Sequence, residues 1–330
     1  MDRTGGLHLF VVLSGKSAIP CSQVRSKNVS VDSRSPQRKD LDIKAIGIVG
    51  IGSVGSKMAV TLARMGVQKF YLVDHDLLLP ENLHRHALDW QGVGQHKVDA
   101  VMAAIRLIAP AADVQVCRLH ISGQESNAAV GGALNRLGAC DLLIDATANP
   151  RVFNTLAAVA RTACCPMVWM AVFGGGLGGL VARSRPRIDP TPQDMRAVYL
   201  KYCSDNPSPS FQSAGRDYST EDEDGQVQSA SDSDVSIIAH HAARFVADCF
   251  TPSERSAFPN SMYLVGLTAG WVFEAPFATI PISMESCPVK DWSNGEEVAL
   301  GEDNIEFVRR LVEKEDDTAP DTSGDPVAAD

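Results

Sequence analysis

No stretch of this 330-residue chain holds the roughly 20 consecutive apolar residues that a membrane-spanning helix needs, so no membrane partner is expected. Its eight cysteines form no CxxC pair, which excludes a zinc knuckle and a thioredoxin-like motif. Positive charge is scarce: 30 Lys and Arg stand against 40 Asp and Glu, a net charge of −10. A nucleic-acid groove needs a basic surface, so nucleic acid is not expected as a partner. Among His75, His84, His86 and His96 no pair has the i, i+4 spacing of a helical zinc site, and the adjacent His240 and His241 point different ways on a helix. No zinc site is expected. The N-terminal apolar run LHLFVVL follows Asp2 and a lone Arg3, without the basic start or small-residue cleavage site of a secretory signal. It reads as a strand, and the expected location is the cytoplasm.

What is present is an alternation. KAIGIVG (44–50) reads as a buried strand and SVGSKMAVTLARMGV (53–67) as a helix, with Val54, Met58, Leu62 and Met65 at three- and four-residue steps. Strands follow at 69–74, 113–121, 141–147 and 166–173, with helices at 96–110, 125–140 and 151–163 between them. Short connections between alternating elements mean right-handed βαβ crossovers. The expected class is α/β, a doubly wound, Rossmann-like, mostly parallel sheet with a C-terminal crossover loop and hairpin extension.

The domain reading runs in five pieces: residues 1–40, a lone strand and polar linker; 41–203, a nucleotide-binding core; 204–232, a polar crossover loop rich in Ser, Asp, Gly and Pro; 233–313, a helix and a hairpin completing the domain; 314–330, an acidic, disordered tail. The helix near 233–250 is expected to be capped by Ser233 or Asp234.

The chemistry begins at Gly50-Ile-Gly52-Ser-Val-Gly55. A strand feeding three glycines and a helix gives a tight turn, close backbone approach and a helix N-terminus that attracts phosphate. Asp74 closes the next strand 19 residues after Gly55, where an acid that binds ribose belongs. An NAD(P)-dependent oxidoreductase and an ATP-using enzyme share these features. Asn82, Arg85 and Lys97, within 23 residues of Asp74, separate the two. A pyrophosphate cradled by amides needs little side-chain charge, whereas a triphosphate about to be cleaved needs cations and a hydrogen-bond donor.

Five ordered blocks, the glycine turn, Leu72-Val-Asp74-His-Asp76, Asn82-Leu-His-Arg85, Gly94-Gln-His-Lys97 and Asp145-Ala-Thr147-Ala-Asn149, resemble the ThiF/MoeB/HesA family, bacterial relatives of ubiquitin-activating enzymes. The resemblance implies ATP- and Mg²⁺-dependent adenylation of the C-terminal carboxylate of a ubiquitin-like or sulfur-carrier protein with a C-terminal Gly tail. It further implies a homodimer and, in the divergent bacterial subgroup, a conjugating-enzyme-like partner. By that resemblance Gly50, Gly52, Ser53, Gly55, Asp74, Asp76, Asp145 and Asn149 bind the nucleotide. Asp74 takes the ribose hydroxyls, Asn82, Arg85 and Lys97 the phosphates, and Asp145, with Asp76 as the alternative, the Mg²⁺.

Two departures stand out. Family members commonly have Asp directly before the Asn of the last block, helping to place Mg²⁺; here it is Ala148. That substitution alone favours a second reading, a catalytically silent nucleotide-binding scaffold. The family's N-terminal arginine helix is also absent, with Arg34 and Arg38 as the stand-ins. Some members form a thioester on a cysteine near the crossover loop, and Cys203 is placed there. FGGGLGGL (173–180) reads as a tight turn or as room for an extended tail, and Trp271, Phe273 and Phe277 read as the core of a hairpin or as a docking surface.

Overall fold

A computed structural model describes residues 7–13, 17–24, 41–121, 127–207, 219–221, 227–289 and 292. The described residues up to 289 belong to one compact unit, and it is this unit whose fold follows.

The central sheet has eight strands: β3 (Ala45–Val49), β4 (Lys69–Val73), β5 (Asp113–Cys117), β6 (Leu142–Asp145), β7 (Met167–Phe173), β8 (Gly178–Ser184), β11 (Met262–Gly266) and β12 (Thr279–Pro281). Their order is β12-β11-β8-β7-β6-β3-β4-β5. From β7 to β5 neighbours are parallel, and β8, β11 and β12 are antiparallel additions. The expected doubly wound class is therefore observed, with the hairpin extension built onto one edge. β3, β4 and β6 read as continuous apolar runs because both of their faces are covered.

The helices are α1 (Ser53–Met65), α2 (Lys97–Ile108), α3 (Asn127–Gly138), α4 (Pro150–Thr162), α5 (Pro192–Asp205) and α6 (Asp232–Asp248). α1 packs on α2 and α6, and α6 lies on β7 and β8; α3, α4 and α5 pack among themselves and against β6, β7 and β8. The core joins Ile46, Ile48, Leu72 and Ile144 of the sheet to Met58 and Leu62 of α1 and Ile238 and Ala242 of α6, all fully buried. None of the helices among the described residues is long and apolar enough to cross a membrane.

Some local expectations change. The N-terminal strand β1 (Leu7–Leu13) is not alone: it pairs antiparallel with β2 (Ser17–Val24), which takes in residues assigned to the linker. Arg34 and Arg38 lie outside the described residues, as does the tail from 314. Within the polar crossover, β9 (Ser219–Glu221) pairs with β10 (Val227–Ser229). α6 is capped by Ser231, not by Ser233 or Asp234, because Ser231 Oγ accepts from the Asp234 amide while the Asp234 carboxylate accepts from the Ser231 amide.

The glycine-rich stretch is a turn. Gly174–Gly176 make a single 3₁₀ turn between β7 and β8, all at positive φ. A Cβ at Gly179 would lie 2.4 Å from Ile238, so that glycine lets α6 sit directly on the sheet. The aromatics beside it divide: Phe273 is buried, Trp271 stacks edge-on against Phe173, Tyr202 and Phe273 and donates to the Asn206 carbonyl, and Phe277 is exposed.

Candidate nucleotide-binding site

After β3 the chain runs to β4 and β5 on one side and returns to β6 and β7 on the other. Open α/β sheets bind ligands where the strand order reverses in this way, outside the carboxyl ends of the strands. A cavity of about 240 Å³ lies there, and Gly50, Gly52, Asp74, Asp76, Lys97 and Asn149 line it. Six of the residues expected from the sequence thus meet in one place.

The glycine turn is locked from three sides. Gly50 has φ +85°, and a Cβ at Gly55 would lie 1.9 Å from the Gly50 carbonyl oxygen, so α1 can close on the turn only with glycine there. Asp74 accepts from the Ile51 amide at 2.6 Å and from the Asp76 amide at 2.8 Å, which ties the turn to the end of β4. His86 Nε2 lies 3.0 Å from the Ile51 carbonyl while its Nδ1 accepts from the Leu88 amide, so the proton sits on Nε2. Burial pushes this imidazole down to about 4, and the nearby Lys97 and Lys57 add to that against the Ile51 hydrogen bond.

Lys97 opens α2 and its Nζ donates to Asp76 at 2.7 Å. Burial alone would raise the Asp76 carboxyl, but the Lys97 hydrogen bond and charge, with His75 and His120 beside it, hold it below the usual carboxylate range. His75 and His120 stack at 4.3 Å and both line the cavity. Asn149 caps α4, accepting from the Arg151 amide at 2.9 Å.

Other expected residues lie elsewhere. Ser53 opens α1 and Gly55 packs beneath the turn; neither lines the cavity. Asn82 Oδ1 accepts from the Leu79 amide, closing its own turn. Arg85 Nη1 donates to Ser229 Oγ and to the Ala230 carbonyl at 3.4 Å, next to the start of α6. Neither lines the cavity. Asp145, expected at the Mg²⁺, is buried; its Oδ1 accepts from the Thr147 amide and hydroxyl, and it lines a smaller neighbouring cavity instead. Burial pushes its carboxyl up to about 6 against those donors and Arg196. Cys203 lies inside α5, and burial pushes its thiol up despite a hydrogen bond from Tyr199, opposite in direction to an activated nucleophile.

Sequence reasoning missed Thr147, His75, His120 and the apolar Leu119, Ile121 and Val152 of the cavity wall. The signal for Thr147 was available: Asp-x-Thr-x-Asn is a chain of short side chains, each suited to hydrogen-bond a nearby amide.

A model of the ThiF family matches residues 23–212. The chain is 33% identical over 142 residues to the ATP-dependent ubiquitin transferase-like protein Cap2 of Enterobacter hormaechei subsp. hoffmannii, covering 42% of this chain and 23% of that protein. It is 30% identical over 139 residues to ubiquitin-like modifier-activating enzyme 5 of Culex quinquefasciatus, covering 41% and 34%. It thus spans about a quarter to a third of these relatives' lengths. The fold matches that of E. coli MccB with ATP at a TM-score of 0.54 and 14% identity, over 75% of this chain and 66% of that one.

Proposed function

The chain belongs to the ThiF family, and on that premise we propose that it binds ATP in the 240 Å³ cavity and adenylates the C-terminal carboxylate of a ubiquitin-like or sulfur-carrier protein. The observation that carries this reading is Asp74 and Lys97 facing one cavity at the glycine turn, with Lys97 at the N-terminus of α2. Two relatives, a ubiquitin transferase-like protein and a modifier-activating enzyme, support it, as does the shared fold of MccB, solved with ATP.

In this reading each Asp74 oxygen already holds one amide and keeps a lone pair for a ribose hydroxyl. Lys97 and the α2 N-terminus draw the phosphates, and the turn amides approach the nucleotide closely. Arg85 reaches a phosphate by leaving Ser229, so nucleotide binding competes with the contact to the start of α6. Mg²⁺ keeps most of its waters and needs one or two carboxylates. Asp76, half-exposed at the cavity, fits that requirement; Asp145, buried and saturated on one oxygen, does not. There the cation would neutralise phosphate charge. Burial pushes the Cys203 thiol up, which does not favour it as the acceptor of the acyl group in a thioester step. A homodimer and a conjugating-enzyme-like partner belong to the same proposal.

ATP–pyrophosphate exchange tests it. Small ubiquitin-fold proteins ending in Gly-Gly are offered to the full chain with Mg²⁺. One of them should support exchange, and Lys97→Ala should lower it by about 100-fold. Tight ATP binding with no exchange for any carrier would favour the second reading, a silent scaffold, for which Ala148 in the family's Asp position speaks.

A further inference from the structure

Behind Asn149 lies the second cavity, of about 110 Å³. Asn149 lines both, so the two are neighbours at the N-terminus of α4. Its walls are mostly apolar, formed by Phe153, Trp169, Met170 and Leu180. Arg196, in the first half of α5, also lines it.

The setting of Arg196 is unusual for this molecule. Arg183 and Arg185, both buried, each have a carboxylate of their own, Asp248 and Asp189. Among the described residues no carboxylate lies within ion-pair distance of Arg196. Its guanidinium instead lies over the Phe153 ring, 4.7 Å from the centroid, which holds the plane in place without neutralising it. The acid sharing the cavity, Asp145, already accepts two hydrogen bonds from Thr147 on one oxygen. A positioned cation on an apolar wall, with an unfilled fork of donors, matches a carboxylate on a short chain.

We propose that this cavity receives the C-terminal carboxylate of the acyl substrate, with Arg196 binding one carboxylate oxygen and the walls at Phe153, Trp169 and Leu180 holding the last residue. This rests on the adenylation reading. The other carboxylate oxygen then faces the nucleotide cavity past Asn149. It bonds to the α-phosphorus as the bond from that phosphorus to the bridging oxygen breaks, pyrophosphate leaves with the electron pair, and no proton is transferred. Arg196 fixes the direction of attack, which is the main catalytic resource of a reaction governed by positioning.

The test uses the full chain and an acetylated hexapeptide ending in Gly-Gly, as the free acid and as the C-terminal amide, with affinity measured by calorimetry with and without ATP. Wild type should prefer the acid by at least about tenfold. Arg196→Gln should erase the preference, and Arg196→Lys should restore part of it. The ATP-induced thermal shift should be equal in wild type and Arg196→Gln, which also shows that the variant is folded. Equal affinity for acid and amide, no binding of the acid up to millimolar concentration, or a preference that survives Arg196→Gln would each overturn the proposal. A wild type that fails to respond to ATP would sink the nucleotide reading, while the acid-over-amide preference without nucleotide still decides the pocket.

Discussion

A methyl group added at Gly55 would lie 1.9 Å from the Gly50 carbonyl oxygen; one added at Gly52 would meet nothing within 4 Å. The two glycines therefore separate folding from binding. Gly55→Ala should abolish folding or cost at least about 3 kcal/mol, because backbone must move to admit the methyl. Gly52→Ala should leave the urea midpoint nearly unchanged yet weaken ATP at least about tenfold, since the empty space is where phosphate would sit. Loss of ATP affinity only in proportion to lost stability would argue that Gly52 faces no ligand. Two titrating groups give opposite pH signatures. His86, lowered to about 4, contributes stability that is present above about pH 6.5 and is lost as pH falls through 4, on the order of 3 kcal/mol. Asp145, raised to about 6, favours folding most below about pH 4 and loses that contribution as pH rises through 6. Asp145→Asn keeps an acceptor for Thr147 and removes the buried charge. Urea unfolding should find it more stable than wild type near pH 7.5 by about 2 kcal/mol, with the gap closing by pH 4. A gap that does not change with pH would mean the carboxyl is not perturbed by burial. Gly50, Asp74 and Lys97 were legible in the sequence because a turn, a strand end and a helix start are local facts. His86 and Arg196 were not: His86 acts on Ile51, 35 residues away, and Arg196 gains its meaning from Phe153 on another helix.

The helices and the parallel strands were readable from period and punctuation, since each covered strand is an apolar run and each helix has an apolar stripe. What the period does not encode is which helix leans on which. α1 and α6 pack closely, and their contact is pinned by Lys57, whose Nζ donates to Asp232 at 2.6 Å. The Lys57 side chain is 9% exposed and that of Asp232 is 56% exposed, so the lysine stem is buried and the pair opens to solvent. Packing should therefore outweigh charge. Lys57→Met should cost under about 1 kcal/mol and Lys57→Ala about 2 kcal/mol in urea unfolding. Equal losses would place the energy in the ion pair instead. The Ser231 cap was missed for a similar reason. The segment alternates Ser and Asp, several of which can cap, and the reciprocal hydrogen bonds of Ser231 and Asp234 are seen only in the folded chain.

At the scale of the molecule, the reversal of strand order between β3 and β6 opens a cavity at the strand ends, and the sequence places its glycines and charges there. The mixed half of the sheet, β8, β11 and β12, was only partly legible, because an antiparallel edge strand and a hairpin have the same apolar alternation wherever they pair. If the proposed reading holds, the cavity takes a triphosphate and discriminates by the ligand's phosphate charge. Calorimetry of the full chain with ATP and Mg²⁺, against NAD and NADP, and repeated for Lys97→Ala, tests this most directly. ATP should bind alone among the three and raise thermal stability by about 2.7 kcal/mol at 100 times its Kd, and Lys97→Ala should lose most of that affinity. Binding of NAD in place of ATP, or ATP affinity unchanged without Lys97, would contradict the adenylation reading at its root.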